Sequence, residues 1–333
     1  MIKGLVSVII PTYKGAHSLP RAINSVLSQT YRNYEIIVVD DNDPSSLHRN
    51  ETENVMSKYL NDVNILYIKH NANLNGAVAR NSGIKVAKGE YICFLDDDDL
   101  MMPYRIEKSI KALIENDKYD AVFVGVAITE NGELKEIRTV KESGNCQISL
   151  FANVGLFGTG SNLFMRTNAV KDISGFDESF IRHQDVEFML RFYNEHLSCS
   201  IGEVLLIKAT NGVNNQPSFN KYLEVKKQFF SAMKPILMNI PEEERNRIIK
   251  SHCDEVFTLA HGELSIGNMI ALMKKMQPYR PLSVKEMVRA ILYSIHFGDK
   301  PIYCGRKNGS SNREEFDEVL KKEIEDAVRE EIE

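Results

Sequence analysis

Residues 91–100 read YICFLDDDDL, an apolar run that ends abruptly in four consecutive aspartates. The apolar part predicts a buried strand, so the carboxylates would lie together at its carboxyl end. Two unit charges about 4 Å apart repel by about 4 kcal/mol at an effective dielectric constant of about 20. Neighbouring carboxylates in this number therefore require water, bound protons or a cation, and which of the three applies decides what the protein does.

Apolar strands and amphipathic helices alternate along the first half of the chain. Buried strands are predicted by the continuous apolar runs at 6–10, 35–39, 64–68 and 91–95. Helical spacing of apolar residues predicts a helix at 19–27 with Ser18 as its N-cap, and further helices at 77–87 and after Pro103. This alternation indicates an α/β fold with a mostly parallel, nucleotide-binding type of sheet flanked by helices.

Two acidic clusters follow predicted strands at the point where each strand ends. Asp40 and Asp41 come directly after the run at 35–39, and the aspartates at 96–99 follow the run at 91–95. In open α/β sheets, ligands bind at the carboxyl ends of the parallel strands. The topology alone therefore predicts a ligand site at this edge of the sheet.

The aspartates at 96–99 have two interpretations. In the first, Asp98 or Asp99 caps the helix that begins near Pro103 and the other carboxylates are solvated. In the second, an Asp-x-Asp pair binds Mg²⁺ or Mn²⁺, which commonly take one or two protein carboxylates and complete their coordination with water and phosphate oxygens. Because a cap accounts for one carboxylate only, we favour a metal with a phosphorylated ligand.

The pair Asp40-Asp41 also resembles the acidic pocket of two-component receiver domains, which ends a strand in paired aspartates. In those domains the pair follows the first strand and a single phospho-acceptor aspartate ends a later one. Here a complete strand-helix unit precedes the pair, and a run of acids replaces the single acceptor. The receiver interpretation is therefore disfavoured.

Composition is that of a soluble globular protein, with 43% hydrophobic and 26% charged residues. No apolar run approaches the ~18 residues of a spanning helix, and the first residues do not resemble a signal peptide. The five cysteines are odd in number and widely spaced, which favours a reduced cytoplasmic compartment. No basic stripe with interleaved aromatics is present, so no nucleic-acid partner is expected.

The pattern changes at about residue 216, where helices take over. We predict a catalytic domain at 1–215 and a mainly helical extension at 216–333, with a linker at 305–311 before a charged final helix. Methionines alternate with lysines and arginines along 269–289, which is typical either of a helix lying on a membrane surface near a lipid-linked acceptor or of one packing against protein. The last helix carries an apolar stripe that would suit a homodimer.

A third polar cluster occurs in GFDESFIRHQDVEFMLRFYNE, residues 175–195. Asp185 lies where a helix begins, and an aspartate at that place is most often a cap. Arg182 and His183 just before it, and Arg191 after it, give a polar edge that would face anionic ligand groups. The residues alone leave the choice between cap and functional acid open.

Three ordered segments resemble the family 2 glycosyltransferases with the GT-A fold, of the type that builds bacterial surface polysaccharides. They are VSVIIPTYKGAHSLPRAINSVLSQTYRNYEIIVVDDND, NGAVARNSGIKVAKGEYICFLDDDDLMMP and GFDESFIRHQDVEF, and the resemblance covers residues 4–210. It implies inverting transfer of a sugar from a nucleotide-activated donor, usually a UDP-sugar, to an acceptor hydroxyl.

The resemblance also implies which residues bind the nucleotide. Tyr13 would pack on the base and Asp41 would accept a hydrogen bond from uracil N3–H. The residues implied to line the nucleotide pocket are Pro11, Thr12, Tyr13, Asp41, Arg80, Asn81, Asp96 and Asp97.

The resemblance also implies which residues bind the metal and which residue is the catalytic base. Asp98 would be the direct ligand of Mn²⁺ or Mg²⁺, and Asp96 would support the metal or hold the ribose. Asp185 would be the catalytic base that takes the proton of the acceptor. The commoner family spelling there is Glu-Asp, whereas this chain has Gln184-Asp185, so the second acid is missing.

The sequence therefore predicts a cytoplasmic, metal-dependent inverting glycosyltransferase that uses a UDP-sugar in capsule, O-antigen or other surface-glycan synthesis. Its acceptor would be a glycan or lipid-linked glycan, with peripheral contact to the inner face of the membrane left open. One rival is a sugar-phosphate nucleotidyltransferase, which would need a glycine-rich basic loop that PTYKGAHS does not supply. The other is a non-catalytic nucleotide-sugar-binding or assembly subunit, which only an activity measurement excludes.

Overall fold

The computed structural model describes residues 1–210, 218–260, 264, 266–277, 280–293, 296–297 and 300–301. These residues group into two compact units. The first contains 1–150 and 154–210, and the second contains 151–153 and the described residues from 218 onward. The predicted boundary at 215, the linker at 305–311 and the charged final helix lie outside the described residues.

The first unit is built on one mixed sheet. Its strands are β1 (Ile2–Thr12), β2 (Tyr34–Asp40), β3 (Ile65–Lys69), β4 (Gly89–Phe94), β5 (Asp99–Met101), β6 (Ala121–Glu130), β7 (Glu133–Arg138), β8 (Phe164–Arg166) and β9 (Ser198–Thr210). Their order is β3-β2-β1-β4-β8-β6-β9-β5, with β7 paired to β6. Strands β3, β2, β1 and β4 are parallel, as is the pair β6 and β9, whereas β8 runs antiparallel to both of its neighbours. The predicted α/β class is confirmed.

Helices connect the strands of this sheet. They are α1 (Leu19–Leu27), α2 (Leu47–Met56), α3 (Gly76–Val86), α4 (Arg105–Glu115), α5 (Gln147–Ala152), α6 (Thr167–Asp172) and α7 (Gln184–Phe192). Helix α1 buries the apolar face that the sequence predicts, but the Ser18 side chain does not cap it. Ser18 occupies the predicted N-cap position, but its hydroxyl donates to the Gly15 carbonyl and does not accept from the helix.

Helix α3 lies unusually close to the sheet. A Cβ atom at Gly83 would lie 2.4 Å from Cγ2 of Ile9, a fully buried residue of β1. The missing side chain therefore allows the helix to pack directly on the strand. This close packing fixes the position of the residues that α3 carries toward the edge of the sheet.

The carboxyl ends of the first strands meet at one edge. Thr12 at the end of β1 is in register with Asp40 at the end of β2, and Asp40 is in register with Lys69 of β3. Asp40 is fully buried and forms an ion pair with the buried Arg49 of α2 at 3.0 Å. Arg49 also donates to the carbonyl of His70, so one guanidinium ties together the ends of β2 and β3.

The second unit is mainly helical. It contains α8 (Phe219–Asn239), α9 (Glu242–Ala260), α10 (Ile266–Met276), α11 (Val284–Tyr293) and the short strands β10 (His296–Phe297) and β11 (Lys300–Pro301). The buried methionines Met269, Met273 and Met276 pack with Phe219 and Phe257 in its core. Packing within the protein thus accounts for these methionines, and membrane contact stays a prediction. Within the described part of the chain, none of the helices has the length and apolar character needed to cross a bilayer.

Replacing Arg49 by Met should strongly destabilise the first unit. The substitution leaves the Asp40 carboxylate buried without its cation, and breaking a buried pair in this way costs about 3–5 kcal/mol. Urea unfolding followed by circular dichroism measures the loss. Lys69→Met is the matched control, because its pair with Glu53 is solvent-exposed and should contribute at most about 1 kcal/mol. Equal losses in the two variants would contradict the structural role of Arg49.

Candidate active site

The aspartates at 96–99 point into different environments. Asp97 and Asp96 are half-buried, Asp98 is exposed, and Asp99 begins β5 fully buried. The Asp99 carboxylate accepts hydrogen bonds from the hydroxyls of Thr159 (2.8 Å) and Ser161 (2.6 Å). Helix α4 begins after Tyr104 without a side-chain cap, so the alternative that Asp98 or Asp99 caps this helix is wrong.

Three of these carboxyl groups resist ionisation. Burial raises the pKa of Asp97 to about 7, with further contributions from the charges of Asp98 and Asp96. The surrounding protein atoms and the charge of Asp96 raise the pKa of Asp98, while Lys208 and His17 oppose the shift. Burial, Asp96 and Asp98 likewise raise the pKa of Asp99 well above its ordinary value. Burial and mutual repulsion therefore both oppose ionisation of the cluster.

The loop after β1 closes over Asp97. A Cβ atom at Gly15 would lie 1.8 Å from Oδ2 of Asp97, so only a glycine leaves room for this carboxylate. Pro11 and the buried Thr12 end β1 beside it. The Tyr13 ring is 49% exposed, with the Lys14 ammonium 4.9 Å from its centroid. These residues lie at the predicted edge, and their contact with a nucleotide stays a prediction.

Arg80 of α3 connects the aspartate run to the third polar cluster. Its Nη2 atom lies 2.5 Å from Oδ1 of Asp96, and its Nη1 atom donates to Oε1 of Gln184 at 3.0 Å. The guanidinium carbon lies 5.6 Å from the centroid of the Phe176 ring. Arg80 thereby brings together segments that are far apart in the sequence, and its predicted contact with a nucleotide stays a prediction.

Asp185 lies in the first turn of α7 but is not its cap. The cap position belongs to His183, whose backbone is left-handed with φ of 58° and whose side chain makes no capping bond. A left-handed backbone at a residue other than glycine is uncommon and is often found at functional sites. Burial raises the pKa of Asp185, while the nearby charge of Arg80 opposes the shift. The capping alternative for Asp185 is thus wrong.

Gly160 marks the point where these groups converge. A Cβ atom at Gly160 would lie 3.8 Å from Nη2 of Arg80, 3.8 Å from Cβ of Asp185 and 3.9 Å from Oδ2 of Asp96. Each of these distances is an ordinary van der Waals contact, so the absent side chain leaves a gap between the acid at the strand end and the acid on α7. A small cavity of about 30 Å³ borders Asp185 as well; apolar residues dominate its lining of Leu150, Val154, Phe157, Gly158, Thr159, Leu163, Asp185 and Val186.

Asp41 is occupied by donors from its own chain. Its buried carboxylate accepts hydrogen bonds from four groups at 2.7–2.9 Å: His70 Nδ1, Asn73 Nδ2, Leu74 N and Asn75 N. The predicted bond from uracil N3–H would therefore have to replace one of these donors. The uracil contact stays a prediction, whereas ordering of the turn before α3 is the role that the structure shows.

Asn81 is engaged in the same way. Its amide nitrogen donates to the carbonyl of Phe176 and to the Glu178 carboxylate, both at 2.9 Å, and its oxygen accepts from the Phe176 amide at 2.9 Å. Asn81 thus ties the segment before α7 to α3. Its predicted place beside a nucleotide stays untested, and its visible function is to position the segment that leads to Asp185.

Sequence reasoning missed the groups supplied by the segment GTGSN at 158–162. The Ser161 hydroxyl accepts from the Asp96 amide at 2.9 Å while it donates to Asp99. Thr159 bonds the same Asp99 carboxylate, and the buried Asn162 side chain bonds the backbone of Val124. Glycines at 158 and 160 are typical of a loop that passes close to a ligand, but the hydrogen bonds to the aspartates join residues about sixty positions apart in the sequence.

The donor set limits what metal site is available. Among the residues that the structure describes, no three histidine, cysteine, aspartate or glutamate side chains come together as a metal site. Asp96 and Asp98 supply at most two carboxylates at the open edge. Such a set fits Mg²⁺ or Mn²⁺ only if water or phosphate oxygens complete the coordination.

Comparisons with known proteins bear on the family and the fold of this chain. Residues 7–174 match the family described as Glycosyl transferase family 2. An uncharacterized glycosyltransferase of Methanocaldococcus jannaschii is 31% identical over 212 residues, with 62% of this chain and 71% of that protein covered. The amylovoran biosynthesis glycosyltransferase AmsB of Erwinia amylovora is 31% identical over 193 residues, with 56% of this chain and 62% of AmsB covered.

Two proteins of Staphylococcus aureus match over more of the chain. The poly(ribitol-phosphate) beta-N-acetylglucosaminyltransferase TarP is 28% identical over 272 residues, with 78% of this chain and 80% of TarP covered. A crystal structure of TarS 1-349 in complex with UDP-GlcNAc superposes with a TM-score of 0.56 at 19% identity, covering 87% of this chain and 90% of that one. From the family match over residues 7–174 and the fold shared with TarS, we conclude that this chain belongs to glycosyltransferase family 2 and has the GT-A fold.

Proposed function

We propose that this protein transfers a sugar from a UDP-sugar to an acceptor hydroxyl with inversion at the anomeric carbon. The observation that carries the proposal is the convergence of Arg80, Asp96 and Asp185 on the gap left by Gly160, each within 3.8–3.9 Å of the absent Cβ position. This proximity supports an arrangement in which Asp96, on the side of the metal-diphosphate, and Asp185, on the side of the acceptor, act on the same sugar. Inverting transfer needs this pair of functions on opposite sides of the reacting carbon.

The aspartate run would hold the metal. Asp98 and Asp96 would be the ligands of Mn²⁺ or Mg²⁺, and the metal, when bound, offsets the negative charge that develops on the leaving diphosphate. Burial is the main cause of the raised pKa values of Asp97, Asp98 and Asp99, and repulsion from neighbouring aspartates adds to it; a bound cation would relieve that repulsion, which supports this assignment. The site is open on the side of Asp98, where water and phosphate oxygens would complete the coordination.

Asp185 would be the catalytic base. It takes the proton of the acceptor hydroxyl at a carboxylate oxygen while that hydroxyl attacks the anomeric carbon from the face opposite to the diphosphate. Burial raises its pKa, which makes the carboxylate a better proton acceptor than an exposed aspartate. The charge of Arg80 opposes this shift.

The choice of uridine and the biological role are supported by the relatives. TarS has been crystallised with UDP and with UDP-GlcNAc, TarP is a poly(ribitol-phosphate) beta-N-acetylglucosaminyltransferase, and AmsB acts in amylovoran biosynthesis. By analogy, this chain would use a UDP-sugar and extend a surface glycan or its lipid-linked precursor at the cytoplasmic face of the membrane. The homodimer and the peripheral membrane contact stay predictions.

A calorimetric titration with UDP tests the donor site. Wild type should bind UDP more tightly with Mn²⁺ than without it, and Asp98→Ala should lose the metal dependence because the direct ligand is gone. Asp185→Asn should bind UDP nearly as wild type does, since its proposed role begins at proton transfer. Asp117→Ala, at an exposed surface position, is the matched control and should behave as wild type. Absence of UDP binding, or binding indifferent to metal, overturns the donor site.

Asp97 should make the metal-free protein less stable as the pH rises. Its pKa of about 7 in the fold exceeds the value of about 3.9 in an unfolded chain. Protonation of Asp97 stabilises the fold fully at pH values below the pKa of the unfolded chain. Between that pKa and the pKa in the folded protein, the free energy of unfolding falls by about 1.4 kcal/mol per pH unit. Asp97→Asn should flatten the decline of the urea midpoint between pH 4 and pH 7, and Asp117→Asn should not. An unchanged slope in Asp97→Asn would refute the assignment.

Gly160→Ala should separate donor binding from transfer. The new methyl group would make ordinary contacts with Arg80, Asp96 and Asp185, so the fold should tolerate it while the gap between the two acids is filled. We expect the affinity for UDP to stay within about threefold of wild type. Hydrolysis of a UDP-sugar, followed as formation of UDP, should be at least about tenfold slower. Gly202→Ala is the control, because its Cβ would meet no atom within 4 Å. Unimpaired turnover in Gly160→Ala would show that the sugar does not occupy this gap.

A further inference from the structure

Gln184 uses both ends of its side-chain amide. The oxygen Oε1 accepts from Nη1 of Arg80 at 3.0 Å, and the nitrogen Nε2 donates to the carbonyl of Phe180 at 2.7 Å. A glutamate could accept from Arg80 but could not donate to the Phe180 carbonyl, because an ionised carboxylate has no proton to give. The neutral amide therefore suits both partners. Gln184, which stands where the family more commonly has a glutamate, is held by a hydrogen bond at each end of its amide.

The hydrogen bond between Gln184 and Arg80 lies beside Gly76, which has no side chain to crowd it. A Cβ atom at Gly76, the first residue of α3, would lie 3.0 Å from Nη1 of Arg80 and 3.1 Å from Oε1 of Gln184. Both distances are tighter than ordinary contacts of a Cβ atom, so a larger residue at Gly76 would push on this hydrogen bond. The absence of a side chain there keeps the two groups in reach of each other.

The same guanidinium holds the aspartate run. Nη2 of Arg80 pairs with Asp96 at 2.5 Å while Nη1 is bound by Gln184, so the three side chains form one chain of contacts. Gln184 is the first residue of α7 and Asp185 is the next. The chain of contacts thus runs from the end of β4 to the residue that precedes the proposed base.

We propose that Gln184 is a positioning residue for the transfer reaction, acting through Arg80. Its amide holds the guanidinium against Asp96 and fixes the separation between the donor side of the gap and Asp185. This inference rests on the proposed function. A misplacement of about 1 Å in such a site can lower the rate about 100-fold, so the bond matters for turnover more than for nucleotide binding.

The proposal explains why an amide rather than an acid is suitable here. A glutamate at 184 would compete with Asp96 for the charge of Arg80 and would set a carboxylate against the Phe180 carbonyl oxygen. Both effects would pull the guanidinium away from Asp96. In this chain, Gln184 orients Arg80 by a hydrogen bond and, being neutral, does not compete with Asp96 for an ion pair.

The test uses hydrolysis of UDP-sugars by the full-length protein with Mn²⁺, with UDP-GlcNAc as the first probe and UDP-glucose and UDP-galactose beside it. Water replaces the acceptor: its oxygen forms a bond to the anomeric carbon, the bond to the diphosphate breaks, and UDP leaves while Asp185 takes the proton. Gln184→Met keeps the length of the side chain but removes both hydrogen bonds. We expect kcat to fall about 10- to 100-fold, with KM and the calorimetric Kd for UDP within about twofold of wild type.

Two further variants sharpen the outcome. Gln184→Glu keeps the acceptor oxygen and should still lose at least about tenfold in kcat. Gln147→Met is the matched control, since Gln147 also bonds a backbone carbonyl, that of Leu190, and a second side chain, that of Asn194, without touching Arg80. It should keep the kcat of wild type.

A double-mutant cycle identifies the route of the effect. If Gln184 acts through Arg80, Gln184→Met should cost no further kcat in an Arg80→Met background. Independent, multiplying losses overturn the proposal, and so does a Gln184→Met variant with the kcat of wild type or with KM raised as much as kcat is lowered. Should wild type bind no UDP and hydrolyse none of the three donors, the proposed function itself falls and the inference falls with it.

Discussion

Buried and half-buried carboxylates at the carboxyl edge of the sheet are the constraint on which the first unit depends. A carboxylate removed from water needs a cation or several donors close to it. Asp40 receives the guanidinium of Arg49, and Asp96 receives that of Arg80. Each arginine comes from a helix that follows one of the strands, so neutralising the edge also fixes where helices α2 and α3 begin and how they pack.

Helix α3 joins the parts of the candidate site into one framework. The turn before it is held by the Asp41 carboxylate, and Asn75 in that turn accepts from the amides of Ala77 and Val78 to cap the helix. From its body, Arg80 and Asn81 reach the aspartate run and the segment before α7. A shift of the turn before α3 would therefore reach the segment before α7 through these side-chain contacts.

Local pattern was sufficient to predict β1 to β4, the acidic clusters and the edge at which these strands end. Apolar runs and helical spacing are short-range features, and the parallel pairing of β1 to β4 follows from their alternation. The antiparallel insertion of β8 between β4 and β6 does not follow from it. The capping alternative for Asp99 failed because the partners of its carboxylate are set by tertiary contacts. Asp99 bonds residues about sixty positions away, and Arg80 meets Gln184 across about a hundred. A single sequence holds no signal for such pairings.

The aspartates at 96–99 fall into an inward-facing pair and an open pair. Asp97 and Asp99 face inward, where Gly15 makes room for one and hydroxyl groups bind the other. Asp96 and Asp98 remain at the open side, one already paired with Arg80 and the other exposed. Repulsion between ionised members of the run raises the free energy of the metal-free fold, and in the proposed function a cation bound at the open pair would relieve it. Relief of this repulsion would thus contribute to the affinity for a metal-diphosphate, and the bound metal would stabilise the fold in return.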